Sequence, residues 1–423
     1  MKMSVHPIEY RYFYPRMKSV FEEENRLQMW LEVEAALARA HSVVGYIPKE
    51  AAEEITRKAH TRYVPLKRVK EIERSVRHDV MAMVLALSEA CDGDAGKYVH
   101  LGATSADIVD TARALQLKEA LAIIHADLRA LRDVLVDLAD RYKALVAVGR
   151  THGIQASPIT YGLKFAVWAM DTDRHIRRLK ECEPRLLVGK IMGPTGTQAA
   201  LGSAAMRIQE IVMRDLGLNE PLVVTQIVPR EEYAEFLCIL ALIASTLEKI
   251  GTEIRNLQRT EIGEVEEFFE AREQIGSSAM PGKRNPIISE RVCGLARVIR
   301  AYASVALQNI PVWHERDLTQ SSTERIIIPS SCILIDYMLK RMAEVLRNLR
   351  IHPEKVERNL RLTHGLFMSE AVMMKLIEKG LGRQEAHRVV WRCAMDAIEG
   401  GRAYAERRTP HWKLGVKADW PGE

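Results

Sequence analysis

Residues 117–138 read Leu117-Lys118-Glu119-Ala120-Leu121-Ala122-Ile123-Ile124-His125-Ala126-Asp127-Leu128-Arg129-Ala130-Leu131-Arg132-Asp133-Val134-Leu135-Val136-Asp137-Leu138. Leu117, Leu121, Ile124, Leu128, Leu131, Leu135 and Leu138 alternate spacings of four and three, which puts them on one face of an α-helix. The pattern returns in Phe236, Leu240, Ile243, Leu247, Ile250, Ile254 and Leu257, and more briefly in Ile335, Met338, Met342, Val345 and Leu349. A helical run of thirty residues is a rod of about 45 Å. A rod with so narrow a stripe buries it only against other rods, which predicts a long-helix bundle and an all-α fold. Further helices are expected near 161–181, 199–216 and 287–309.

Outward from the bundle the punctuation changes. Residues 1–111 read as shorter helices broken by Pro7, Pro15, Pro48 and Pro65. His352-Pro353 marks a boundary, because the residue before a proline leaves the helical region. Short amphipathic helices then follow, split by Gly365, Gly380, Gly382 and the pair Gly400-Gly401, with an irregular tail from Thr409. The expectation is three helical domains, 1–111, 112–352 and 353–423, with no strand of any length.

Composition bounds the function. The chain has 423 residues, 47% hydrophobic and 28% charged, with a net charge of +5. That is an ordinary globular balance with acids and bases interspersed. A basic cluster interleaved with aromatics is missing, so no nucleic-acid partner is expected. No apolar run approaches the ~20 residues of a membrane span, and the N-terminus has no apolar signal core, so no membrane contact and a cytoplasmic location are expected. Six dispersed cysteines have no metal-ligand spacing and are expected reduced in an ordinary cytosol.

Five segments are polar, punctuated and placed at helix ends. Gly276-Ser277-Ser278-Ala279-Met280-Pro281-Gly282-Lys283-Arg284-Asn285-Pro286 joins hydroxyls and cations on a glycine- and proline-bearing loop that can close on an anion. Arg77-His78-Asp79 is either a solvated helix face or part of a site. Thr104 and Ser105, after His100, either cap the next helix or use its N–H groups to hold a carboxylate or phosphate. Gly149-Arg150-Thr151-His152-Gly153 offers a histidine suited to proton transfer near neutral pH. The stretch from His314 to Arg325 is either a surface ion-pair cluster or an anion site whose arginines grip bidentately. Nucleotide-fold glycine motifs, metal clusters and nucleophile elbows are missing, so neither a cofactor nor a metal is expected. The remaining set suits acid–base chemistry on a polyanion.

The loop from Gly276 to Pro286 resembles the signature of the fumarase/aspartase superfamily. Arg77-His78-Asp79, Gly149 to Gly153, Ser277 to Pro281 and Ser322-Thr323-Glu324-Arg325-Ile326-Ile327-Ile328-Pro329 together resemble the adenylosuccinate lyase family within it. So do Arg11-Tyr12 with Pro15, Glu24-Asn25-Arg26, Thr363-His364-Gly365-Leu366 and Ile377 to Leu381. The resemblance implies β-elimination of fumarate from adenylosuccinate, leaving AMP, and from the succinyl-carboxamide ribotide SAICAR, leaving AICAR. It implies Ser278 as the base on a closing loop, helped by Lys283 and by the positive end of the helix after Pro286. It implies His152 as the acid, paired with Glu290, and His78 as a second histidine that binds phosphate. Thr104, Ser105, Lys283 and Asn285 would hold the succinyl carboxylates. Arg11, Tyr12, Arg316, Ser321 and Arg325 would hold phosphate and ribose, and Gln226 the succinyl part or the base. Arg77 and Thr151 belong to the same binding set, with Asp79 and His100 in support. The resemblance further implies a homotetramer whose sites each draw on three subunits.

Two residues depart from the family pattern. Gly282 stands where relatives carry His or Lys, and Gln155 where a His is common. Argininosuccinate lyase, fumarase and a crystallin-like structural protein are the rival readings. The first two substrates carry no phosphate, whereas Ser321 to Arg325 and Arg11-Tyr12 suit one. The presence of Ser278, His152, Lys283 and Glu290 argues against the third.

Overall fold

A computed structural model describes residues 5–269, 276–280 and 282–405. Its helices in chain order are α1 (Pro15–Val20), α2 (Glu23–Val43), α3 (Lys49–Lys58), α4 (Leu66–Val76), α5 (Asp79–Ala90), α6 (Ser105–Arg141), α7 (Tyr161–Leu186), α8 (Ala205–Leu216), α9 (Arg230–Leu257), α10 (Ile287–Gln308), α11 (Thr319–Arg347), α12 (Pro353–Arg361), α13 (Ser369–Glu378) and α14 (Arg383–Ala405). Strand β1 (Val146–Thr151) pairs antiparallel with β2 (Ile154–Thr160), and β3 (Val265–Glu266) with β4 (Arg350–Ile351). The fold is mostly helical.

The stripes become the core. Every stripe residue on α6 and on α9 is buried, as are Ile335, Met338, Met342 and Val345 on α11, while Leu349 falls just past that helix and is half-buried. Burying a side chain of this kind is worth about 1.5–3 kcal/mol, so the stripes supply much of the driving force.

The chain divides into two compact units. One is drawn from Met1–Leu135, Trp168–Asn256 and Glu267–Leu349; the other from Val136–Val167, Leu257–Glu266 and Arg350–Glu423. In the first unit, α2 to α5 and α8 pack around Leu31, Leu37, Ile55, Leu87 and Ile208. There α10 and α11 run antiparallel: Arg291 donates to the Tyr337 hydroxyl (2.8 Å) near one end, and Thr323 to the Asn309 side chain (2.9 Å) at the other. Pro329 lies inside α11 and has no N–H for the Arg325 carbonyl, which breaks the ladder about three turns into the helix. No helix among the described residues is long and apolar enough to cross a membrane.

The hairpin β1–β2 was not expected. His152 and Gly153 form its two-residue turn, with φ of +55° and +78°. Positive φ at both positions is the turn whose twist matches a hairpin, and it normally announces itself as Asn-Gly. The histidine disguised it as a loop.

Candidate active site

The candidate site begins where α4 meets α5. Arg77 takes a left-handed conformation (φ +55°) that ends α4, its N–H donating to the Glu73 carbonyl (2.8 Å). His78 then caps α5, its Nδ1 accepting from the Met81 N–H (3.3 Å). A ring nitrogen used this way leaves Nε2 to face outward, and it lies 3.4 Å from the Ser105 hydroxyl. Asp79 pairs with Arg325 (2.8 Å). Burial pushes its carboxyl up, but hydrogen bonding and charge from Arg325 outweigh that and hold it below the usual range.

Ser105 opens α6. The Asp107 carboxylate reaches back to the Thr104 N–H (2.9 Å), as in a capping box. The start of α6 is thus closed by the Asp107 carboxylate, and Ser105 lines a cavity. From the far side, Arg316 donates to Gln226 (2.8 Å), and Asp317 accepts from the Thr319 N–H (2.8 Å) and hydroxyl (2.5 Å) just before Ser321.

Arg77, His78, Asp79, Ser105, Gln226, Arg316, Ser321 and Arg325 thus line one cavity of about 810 Å³, with Glu73 and Asp317 also in its wall. Four segments far apart in sequence meet there. The arginines and the hydroxyls give it the means to grip a phosphate and its ribose. Thr104 and His100 sit behind Ser105 and do not line this wall.

Beneath the cavity lies a buried charge network that the sequence reading missed. Lys190 is fully buried against Asp107, which also accepts from the N–H groups of Met192 (2.9 Å) and Gly193 (3.0 Å). Arg230 joins Asp110 (2.9 Å) on α6 to Glu324 (2.9 Å) on α11. Burial opposes the charge on Asp110, and Arg230 more than restores it. Such pairs leave a costly bare charge if one member is lost, so they set the spacing of α6, α9 and α11 rigidly. The signal was present: Asp107, Asp110 and Ala114 continue the 117–138 stripe backward in register, with carboxylates where apolar residues belong.

Other sequence-predicted residues lie elsewhere in the first unit. Ser277 accepts from the N–H groups of Ala279 (3.3 Å) and Met280 (3.1 Å), and Asn285 donates to the Gly276 carbonyl (2.9 Å). Ser278, Lys283 and Glu290 are exposed, while Pro281 lies outside the described residues. A side chain at Gly282 would meet nothing within 4 Å, so space does not demand the glycine there. One expectation needs correcting. The positive end of α10 is not open: buried Glu267 accepts from the N–H groups of Ile288 (2.9 Å) and Ser289 (2.9 Å) and from the Ser289 hydroxyl (2.8 Å). That carboxylate spends the helix charge that was expected to act on Ser278.

Arg11 and Tyr12 join this end, not the cavity. The Tyr12 ring lies 5.6 Å from Tyr337, with the Arg291 guanidinium 5.8 Å from it. Twelve residues of α11, about 18 Å of helix, separate Tyr337 from Arg325.

His152 and Thr151 belong to the second unit, exposed at the tip of the β1–β2 hairpin. The hairpin is tied down by buried Glu264, which accepts from Arg150 (2.5 Å) beside the turn, from Tyr161 (2.6 Å) just past β2, and from Asn359 (2.9 Å). Gln155, the departure from the family pattern, donates to the Asn359 carbonyl (2.7 Å) and accepts from Thr363 (3.0 Å). Here it fastens the hairpin to α12.

Comparison with known proteins agrees with this architecture. A family model described as "Lyase" matches residues 9–301, and one described as "Adenylosuccinate lyase C-terminus" matches 365–409. The chain is 55% identical to adenylosuccinate lyase of Pyrococcus abyssi over 96% of its own length and 89% of that protein. It is 53% identical to adenylosuccinate lyase of Methanocaldococcus jannaschii, over 95% and 87% respectively. The crystal structure of a fumarate lyase from Mesorhizobium superposes with a TM-score of 0.83 at 32% identity, covering 94% of this chain and 88% of that one. The chain belongs to the adenylosuccinate lyase family.

Proposed function

We propose that this chain is a carbon–nitrogen lyase that releases fumarate from adenylosuccinate, leaving AMP, and from SAICAR, leaving AICAR. The observation that carries the reading is the arginine-, histidine- and serine-lined cavity, in a chain more than half identical to adenylosuccinate lyases. Its volume of about 810 Å³ is ample for a nucleotide. Arg316, Ser321 and Arg325 take the phosphate and ribose, with His78 donating from Nε2, and Arg77 adds charge at the wall.

In the reaction Ser278 removes the proton from the carbon beside a carboxylate, the carbon–nitrogen bond breaks, and His152 returns a proton to the leaving nitrogen. The dianion formed midway needs fixed positive charge, which is the larger catalytic term. With α10 already capped by Glu267, Lys283 is left as the main cation for Ser278 and for that dianion. Thr104, Ser105 and Asn285 orient the succinyl carboxylates, Gln226 the succinyl part or the base, and Glu290 pairs with His152.

The assembly is part of the same proposal: a homotetramer whose sites are shared between subunits. The 316–325 cavity and the segment holding Ser278, Lys283, Arg11 and Tyr12 lie at opposite ends of the α10–α11 hairpin. That separation supports a site whose parts combine between copies of the chain. Met170, Leu242 and Leu307 remain exposed on α7, α9 and α10, which suits further helix packing. A cytoplasmic location goes with small soluble nucleotide substrates.

The test is incubation with adenylosuccinate, argininosuccinate and malate in parallel, following fumarate. Turnover of adenylosuccinate supports the reading; turnover of one of the others in its place overturns it.

A further inference from the structure

Helix α2 carries its own apolar stripe, Leu27, Leu31 and Ala38, and two polar residues stand in register with it: Glu34 and His41, each 1% exposed. A buried carboxylate is costly unless it is matched. Glu34 is matched twice by one residue, accepting from the His100 backbone N–H (3.1 Å) and meeting His100 Nδ1 at 2.6 Å. Burial keeps His41 neutral, below its ordinary value, and its Nε2 lies 2.8 Å from the Leu101 carbonyl. Thus α2 holds the chain at two successive residues. His100 is in the left-handed region (φ +65°), which a non-glycine residue adopts only when its surroundings impose it. Gly102 follows at φ +70°, where a Cβ would strike the Leu201 side chain at 2.5 Å. Three residues later Ser105 enters the cavity wall beside His78.

We infer that Glu34 is a positioning residue: through His100 it fixes the turn that aims Ser105 at the bound anion. The inference rests on the proposed substrate reading. Burial pulls the His100 imidazole down, but the hydrogen bond and charge of Glu34, aided by Asp107, override it and raise its pKa. His100 therefore holds its proton to higher pH beside Glu34 than it would alone, and loses it as pH rises past the raised value. KM climbs there, while kcat, set by Ser278 and His152, holds.

The experiment is the pH profile of KM and kcat for adenylosuccinate in wild type and Glu34→Gln. In the variant, KM rises about tenfold at neutral pH, as misaimed contacts cost. Its alkaline limb moves to lower pH, and kcat stays within a factor of about two. A folded variant with an unmoved limb overturns the inference, as does equal change in kcat and KM. Should Glu34→Gln not fold, His100→Asn decides, since asparagine tolerates the left-handed turn but cannot titrate. The limb must vanish there, and its persistence overturns the inference. Absence of wild-type turnover would instead sink the substrate reading. Hydrogen exchange over residues 99–108, read without substrate, still judges the coupling: faster in Glu34→Gln if it holds, unchanged if it does not.

Discussion

At the scale of single residues, Arg325 links the two halves of the phosphate reading. It lines the cavity and neutralises Asp79. Arg325→Ala removes a bidentate donor and leaves Asp79 facing the substrate's own negative charge. KM for adenylosuccinate should rise by about tenfold or more, with the smaller change in kcat. Steady-state kinetics checks this, and an unchanged KM would place the phosphate elsewhere. Much at this scale was readable beforehand. Arg77, His78, Ser105, Arg316, Ser321 and Arg325 stand in segments the sequence singles out, Gln226 came only from the family resemblance, and one cavity gathers them. Glu34, Glu264, Glu267 and Lys190 were not readable. Each is a charge buried by a partner distant in sequence, and no local pattern names the partner.

At the scale of elements, two contacts make measurable claims. Between α7 and α9, neutral His175 uses both ring nitrogens, Nε2 with Thr246 (2.8 Å) and Nδ1 accepting from Arg178 (3.2 Å). Burial first, then the Arg178 charge, lowers its pKa to about 4 from 6.5. The unfolded chain takes up this proton near 6.5 and the folded one only near 4. The contribution is therefore full above pH 6.5 and lost as pH falls toward 4, on the order of 3 kcal/mol. Denaturant titrations of His175→Gln should lose stability less steeply over that window than wild type. In the second unit, Glu264→Gln leaves Arg150 without its carboxylate. It should cost about 3 kcal/mol, read as a lower melting temperature. The long helices themselves were legible because a stripe repeated at three and four residues has one physical solution. The β1–β2 hairpin was not, because His152-Gly153 hid a turn normally written with asparagine.

At the scale of the whole molecule, the groups proposed to react fall on separate parts of the chain. Ser278 and Lys283 precede α10, the cavity lined by Arg316, Ser321 and Arg325 lies toward that helix's other end, and His152 tips a hairpin assigned to the second unit. The apolar stripes announced that helices need partners, but a single stripe does not say which helices those are. The most direct measurement is fumarate release from adenylosuccinate by Ser278→Ala, by His152→Ala, and by the two after subunit exchange. Each variant alone should be silent while still binding substrate, and the exchanged mixture should regain a fraction of wild-type activity. Near-normal release by either variant alone would contradict the account, as would silence in a mixture whose exchange has been verified.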